Sequence, residues 1–320
     1  MSDFPQLNQY RPHQSQKLLQ SFQDPFVPPV VLKKSKGQYL YDIDDYKYVD
    51  FNLQHGSVLL GHNDPSLCHY IKDALSIGTD HVFYHKFSRR LNQIWQKMIP
   101  FESGSFFSNE ISALIQLFSL FKAISVQSLY LKEFINGLNP KLECELYQPG
   151  KDYDAVIIEP IDFDTGLLTD ITHYKANSII SFEIRTGFRV NSYSILNLDK
   201  VDYIFYGKCA LNGIDSAVLL SRNKTLYSSP IPIYIALGMI EYLKKMMHLS
   251  RSWNFPVIQH PLITWQNQSI IGLRKSISPS ESLPYGLYIN GNILYLSQAH
   301  TEYDIRRLKR FLNSLTDPSL

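Results

Sequence analysis

AVIIEPI (155–161), ISFEIRTGFRV (180–190) and VDYIFYGKCALNG (201–213) are the runs whose reading decides the fold. Each contains a run rich in Val, Ile, Phe or Tyr that ends in polar or glycine-containing sequence, the composition of a strand buried on both faces. The strand-like cores are 155–158, 179–184 and 203–206. Helical patterns precede and follow them. In 88–99 the residues Leu91, Ile94, Trp95 and Met98 recur at helical spacing. Helices are also expected over 65–77, 111–123 and 231–246, the last with Gly238 at a close packing contact. Buried strands among helices predict an α/β protein whose mainly parallel sheet is flanked by helices. Ligands of such sheets gather beyond the carboxyl ends of the strands.

Outside this core the pattern changes. GQYLYDIDDYKYVDF (37–51) places aromatic and β-branched runs on either side of Asp44-Asp45, which predicts a hairpin. Short β-like runs occur at 287–289 and 293–296. In TEYDIRRLKRFLNSL (301–315), Thr301 is the expected N-cap and Asp304 lies in the first turn. Ile305, Leu308, Leu312 and Leu315 form the apolar stripe of that last helix. The expected organisation is an arm and hairpin over 1–52, a large domain over 53–246 and a small α+β lobe over 247–320 that the hairpin joins.

The chain has 320 residues, 44% hydrophobic and 19% charged, enough for a large unit plus a lobe. A net charge of +2 makes no electrostatic case for nucleic acid or an anionic membrane. The start, MSDFPQLNQYRPHQ, is polar and carries proline, unlike a signal peptide. No stretch approaches the roughly 20 apolar residues of a membrane helix. Cys68, Cys144 and Cys209 stand far apart, which argues against a disulfide framework or a structural zinc. The cytoplasm is the expected compartment, with no metal.

The quoted blocks, together with HGSVLLGHNDP (55–65) and SQAHTEYDI (297–305), resemble the class III aminotransferases in order, and their glutamate-1-semialdehyde aminomutase branch most. The resemblance implies a fold type I, pyridoxal-phosphate (PLP) transferase-like architecture and a homodimer. It also implies a small amino or oxo substrate and PLP as cofactor. Lys208 in Tyr206-Gly207-Lys208 matches the family's Schiff-base lysine. In the register of Thr186-Gly187-Phe188-Arg189, Phe182 stands where the family has the aspartate that pairs with the pyridine nitrogen. Glu159 ends its own strand, and Glu183 neighbours Phe182; a bulge would be needed to bring Glu183 to that face. The plainer reading pairs both carboxylates with Arg185 or Arg189.

For the phosphate, the resemblance points to Ser108 and Asn109, followed by Glu110 with a negative charge where the dianion should lie. A helix cap is the alternative use of this run. Ser228 aligns with a phosphate contact that the family takes from its partner subunit, beside Tyr227 and near Thr225. The family's ring-covering Tyr-His-Gly aligns near Ile135-Asn136-Gly137, within a segment much shorter than the family's. Phe134 is either the replacement cover or a core aromatic. His55 and His62 flank a glycine turn, His300 is expected to fix the last helix, and Cys209 is either a reactive thiol or a small buried side chain. Three readings stay open: a PLP-dependent aminotransferase or aminomutase, a degenerate homologue acting as a binding or scaffolding partner, or a pocket serving a different ligand.

Overall fold

The computed structural model describes residues 13–19, 30–78, 84–189, 198–222, 230–249 and 254–316. The chain divides into two compact units, one of residues 65–254 and one combining 1–64 with 255–320. In chain order the described elements begin with α1 (His13–Leu19), β1 (Leu32–Lys36), β2 (Tyr39–Asp42) and β3 (Lys47–Asp50). The larger unit contains α2 (Pro65–Ile77), α3 (Lys86–Met98), β4 (Ser103–Phe107), α4 (Glu110–Ser119), β5 (Ile124–Val126), α5 (Leu129–Leu138) and β6 (Glu145–Leu146). It continues through β7 (Ala155–Ile158), β8 (Ser178–Phe182), β9 (Tyr203–Tyr206), β10 (Ala217–Ser221) and α6 (Ile233–Leu249). The remainder is β11 (Ile263–Asn267), β12 (Ile270–Ile277), α7 (Pro279–Ser282), β13 (Leu287–Tyr288), β14 (Gly291–Tyr295) and α8 (Glu302–Thr316).

The seven-stranded sheet of the larger unit runs β4-β10-β9-β8-β7-β5-β6. β9, β8, β7, β5 and β6 are mutually parallel, whereas β10 pairs antiparallel with both β9 and β4. The mainly parallel sheet flanked by helices is therefore present, centred on the apolar runs around 155–158, 179–184 and 203–206. Alternation sorts their side chains. Ile180, Phe182, Tyr203 and Phe205 join the core made with Leu114 and Leu117 of α4 and Leu131 and Ile135 of α5. The intervening Tyr206 turns to the other face, where its ring meets Trp95 of α3 at 4.9 Å and lies nearly parallel to Phe188 at 5.3 Å. α6 crosses α2 through Gly238, where an added Cβ would lie about 3.0 Å from Leu211 and 3.1 Å from Ile71. α4 stops at Ser119, short of the expected 123, because the chain must already be extended to enter β5 at Ile124.

In the smaller unit, β2 and β3 form the expected antiparallel hairpin. Its turn lacks glycine, and Asp45 adopts φ 64° instead while the Asp42 carboxylate accepts from the amides of Asp44 and Tyr46. β1 and β13 complete that sheet, and β11, β12 and β14 form another. Both pack with α8 around Val49, Leu273, Leu294 and Leu308. Thr301 and Asp304 cap α8 reciprocally: Thr301 N and Oγ1 donate to Asp304 Oδ2, which also accepts from Gln38 Nε2. His300 sits ahead of this cap with its ring 4.9 Å from Phe51 and Nδ1 accepting from Ser297 N. After β3 the chain makes an uncommon turn. Leu53, Gln54 and His55 in succession take φ near 50°, before Gly56 at 87°. Side chains disfavour that region by roughly 1–2 kcal/mol per residue. Among the described residues no helix is long and apolar enough to cross a membrane.

Candidate functional site

Lys208 follows directly from β9 and opens a short 3-10 turn that runs to Leu211. Asn212 in a left-handed conformation ends the turn, and Gly213 N donates back to Lys208 O, which explains the Asn-Gly pair. The Lys208 side chain is half-buried, and its amine has no hydrogen bond or ion pair among the described residues. Its backbone is held tightly. Lys208 N donates to Glu110 Oε1 at 2.8 Å, a contact spanning 98 residues. Gly207 permits this approach, since a Cβ there would collide with the Glu110 carboxylate.

Glu110 is the first residue of α4 and only 5% exposed. Burial raises its pKa, while the Lys208 amide and the Lys208 charge pull it down. The helix itself is capped by Asn109, whose side chain accepts from Ser112 N, and Ser108 is exposed. Of the two uses foreseen for Ser108-Asn109-Glu110, the geometry realises the cap. Glu110 adds an anchor that the sequence did not reveal: its carboxylate takes the backbone donor of Lys208.

Phe182, where an acid was expected from the resemblance, is fully buried. Its ring stacks on Phe205 at 4.7 Å and meets Phe134 edge-on at 6.2 Å. Phe134 also lies nearly parallel to Tyr130 at 6.1 Å and is thus a core aromatic. Ile135-Asn136-Gly137 lies within α5, a regular helix. Glu183 points to the sheet face opposite Phe182, accepting from Ser181 Oγ at 2.9 Å and Thr186 Oγ1 at 2.8 Å. No bulge brings it round. Complete burial pushes its pKa up to about 8, against the help of the two hydroxyls. Its described partners are thus hydroxyls, and the expected arginine pairing falls to the other carboxylate. Cys209 donates its thiol to the Glu183 carbonyl at 2.8 Å, and burial drives its pKa well up, as suits an inert core thiol.

Glu159, at the end of β7, accepts from Arg185 Nε at 2.6 Å and from Nη2, so this carboxylate forms the foreseen ion pair. The Arg185 guanidinium is sandwiched between the rings of Tyr130 and Phe163, each 3.6 Å from the guanidinium carbon. Tyr130 and Phe163 carried no signal in the sequence, because neither lies near Arg185 along the chain. Ser228, Tyr227 and Thr225 lie outside the described residues. No group of three or more His, Cys, Asp or Glu side chains among the described residues is placed to hold a metal.

Among the described residues, those at the positions foreseen for PLP do not fit it. No carboxylate stands where Phe182 does, and that ring is packed between Phe134 and Phe205. At the start of α4, the place foreseen for a phosphate, the chain's own carboxylate already engages Lys208 N.

Residues 22–111 match the family model described as aminotransferase class-III. Glutamate-1-semialdehyde 2,1-aminomutase of Caldicellulosiruptor saccharolyticus is 33% identical over 265 residues, which cover 66% of this chain and 61% of that protein. Glutamate-1-semialdehyde 2,1-aminomutase 2 of Listeria monocytogenes is 25% identical over 222 residues, or 52% of this chain and 51% of that protein. The chain thus spans about three-fifths and about half of these two relatives. Among solved structures, ornithine delta-aminotransferase of Plasmodium falciparum superposes with a TM-score of 0.69 at 15% identity, covering 93% of this chain and 96% of that one. Acetylornithine aminotransferase of Elizabethkingia anophelis gives 0.63 at 15% identity, covering 93% and 97%.

Proposed function

We propose that this relative of the class III aminotransferases, built on their type I fold, is a degenerate homologue that does not transaminate and acts as a binding or scaffolding protein. One observation carries the reading: Phe182, at the position of the cofactor's acid, is part of the hydrophobic core. A pyridine ring there would meet an apolar side chain, with no group to hold its nitrogen protonated. Glu110 supports the same reading, because a buried carboxylate beside Lys208 N repels a phosphate dianion. The sequence expectations of a homodimer in the cytoplasm remain part of the proposal.

A second reading is favoured by Lys208, whose amine is free among the described residues. In that reading the protein is an active PLP-dependent aminotransferase or aminomutase for a small amino or oxo compound. Absorbance separates the two. The degenerate reading expects no band in the yellow region after incubation of the purified protein with excess PLP. A band that appears in the wild-type chain and vanishes in Lys208→Ala would establish the second reading and end the first.

A further inference from the structure

We propose that the smaller unit carries a small-molecule site of its own, a cavity of about 220 Å³ beside the Asp50–His62 pair that takes a compact neutral carbonyl compound. The proposal is independent of how Lys208 is read. Asp50 ends β3, and its Oδ1 accepts from the amides of Asn52 and Leu53, both at 2.9 Å. Those bonds start the left-handed turn, which Asn52 continues by accepting from His55 N at 3.1 Å. Held this way, Asn52 is 7% exposed and lines the cavity, and its Nδ2 donors have no partner among the described residues.

His62 is fixed from the other side. Its backbone exchanges two hydrogen bonds with Gly37, of 2.7 and 2.6 Å. Gly61 before it sits at φ 95°, where a Cβ would come within 2.7 Å of Ala299. The His62 ring is 8% exposed and donates from Nε2 to Asp50 Oδ2 at 2.8 Å. Nδ1 makes no further bond among the described residues. Ser35 and Tyr288 also line the cavity, and their hydroxyls have no partner among those residues. Leu40 and the Tyr288 ring provide apolar wall.

The chemistry of this lining selects the ligand. Asp50 Oδ1 is filled by two amides and Oδ2 is shared with His62, which leaves a cation a single lone-pair site, and the charge disfavours an anion. What remains are donors from the Asn52 amide and the Ser35 and Tyr288 hydroxyls, with the Gln54 amide beside them and His62 Nδ1 as an acceptor. They match a carbonyl oxygen, and the apolar wall matches a short hydrocarbon body. At about 30 Å³ per water-sized volume, the space suits a molecule of roughly seven non-hydrogen atoms.

Isobutyramide is a suitable probe, with isobutyrate as its anionic equal in shape. Saturation-transfer NMR on the full chain is expected to show saturable isobutyramide binding, with a dissociation constant on the order of 1–10 mM. The His62 imidazole resonances should shift in step with it. Isobutyrate should bind at least tenfold more weakly. Asn52→Ala is expected to weaken the amide about tenfold and Tyr288→Phe about threefold, with folding checked by circular dichroism. Should Asn52→Ala unfold, Tyr288→Phe decides the matter. No saturation by isobutyramide at roughly 100 mM would overturn the proposal. So would isobutyrate binding as tightly as the amide, or affinity unchanged in the folded variants.

Discussion

Replacing Phe182 by Asp restores on paper the acid that a PLP enzyme needs, and the packing around position 182 says what the change would do instead. Phe182 is fully buried between Phe205 and Phe134, in a core that also holds Ile180 and Ile184. Truncating such a ring costs about 3–5 kcal/mol through lost burial and the cavity left behind. A carboxyl group left there without a partner adds about 1–3 kcal/mol even when protonated. The sum of about 4–8 kcal/mol is comparable to the whole stability of an ordinary domain, about 5–15 kcal/mol. With a urea slope near 3 kcal/mol per molar, the denaturation midpoint of Phe182→Asp should fall by about 1.3–2.7 M. Phe182→Leu, which keeps most of the volume, should fall by about 0.5 M or less. Tryptophan fluorescence and near-ultraviolet circular dichroism would follow both transitions. A Phe182→Asp protein with an unchanged midpoint and a new yellow colour with PLP would refute the reasoning, because position 182 would then face a solvated cavity.

Two further outcomes follow from the buried charges. Glu183 has an ordinary pKa of 4.5 and a folded value raised to about 8, so the unfolded chain releases its proton first as pH rises. Stability should be greatest below pH 4.5 with respect to this group and be lost up to pH 8, by at most about 1.4 kcal/mol per pH unit; Glu183→Gln should flatten that part of a Tm-against-pH profile, and an unchanged slope would show that Glu183 is not its source. Removing one member of the Glu159–Arg185 pair should destabilise by about 3–5 kcal/mol, since it strands a buried charge, whereas Glu159→Leu with Arg185→Leu should recover much of the loss. Urea titrations arranged as a double-mutant cycle would check this, and additive losses would contradict it.

Much of the scaffold was legible because local chemistry wrote it. The apolar runs at 155–158 and 203–206 coincide with β7 and β9, and the run at 179–184 overlaps β8, which spans Ser178–Phe182, since buried parallel strands need unbroken β-branched and aromatic residues. The hairpin at Asp44-Asp45 and the Thr301–Asp304 cap are likewise decided within a few residues. β4 escaped notice because SGSFF carries little strand signal, and it is a strand through its pairing with β10.

The site was legible only in its residue types. The blocks around Lys208 suggested a cofactor enzyme, and Phe182 stood where the resemblance places the cofactor's acid. Whether Phe182 left a gap or filled one depended on Phe134 and Phe205, 48 and 23 positions away along the chain by number. The role of Glu110 depended on an amide 98 residues distant, and that of Arg185 on rings brought in by α5 and the segment after β7. Periodicity and capping act over a few residues and can be read in order along the chain. The direction of a buried side chain, its partners and its protonation are set by whatever the completed fold packs against it, and only the tertiary structure decides them.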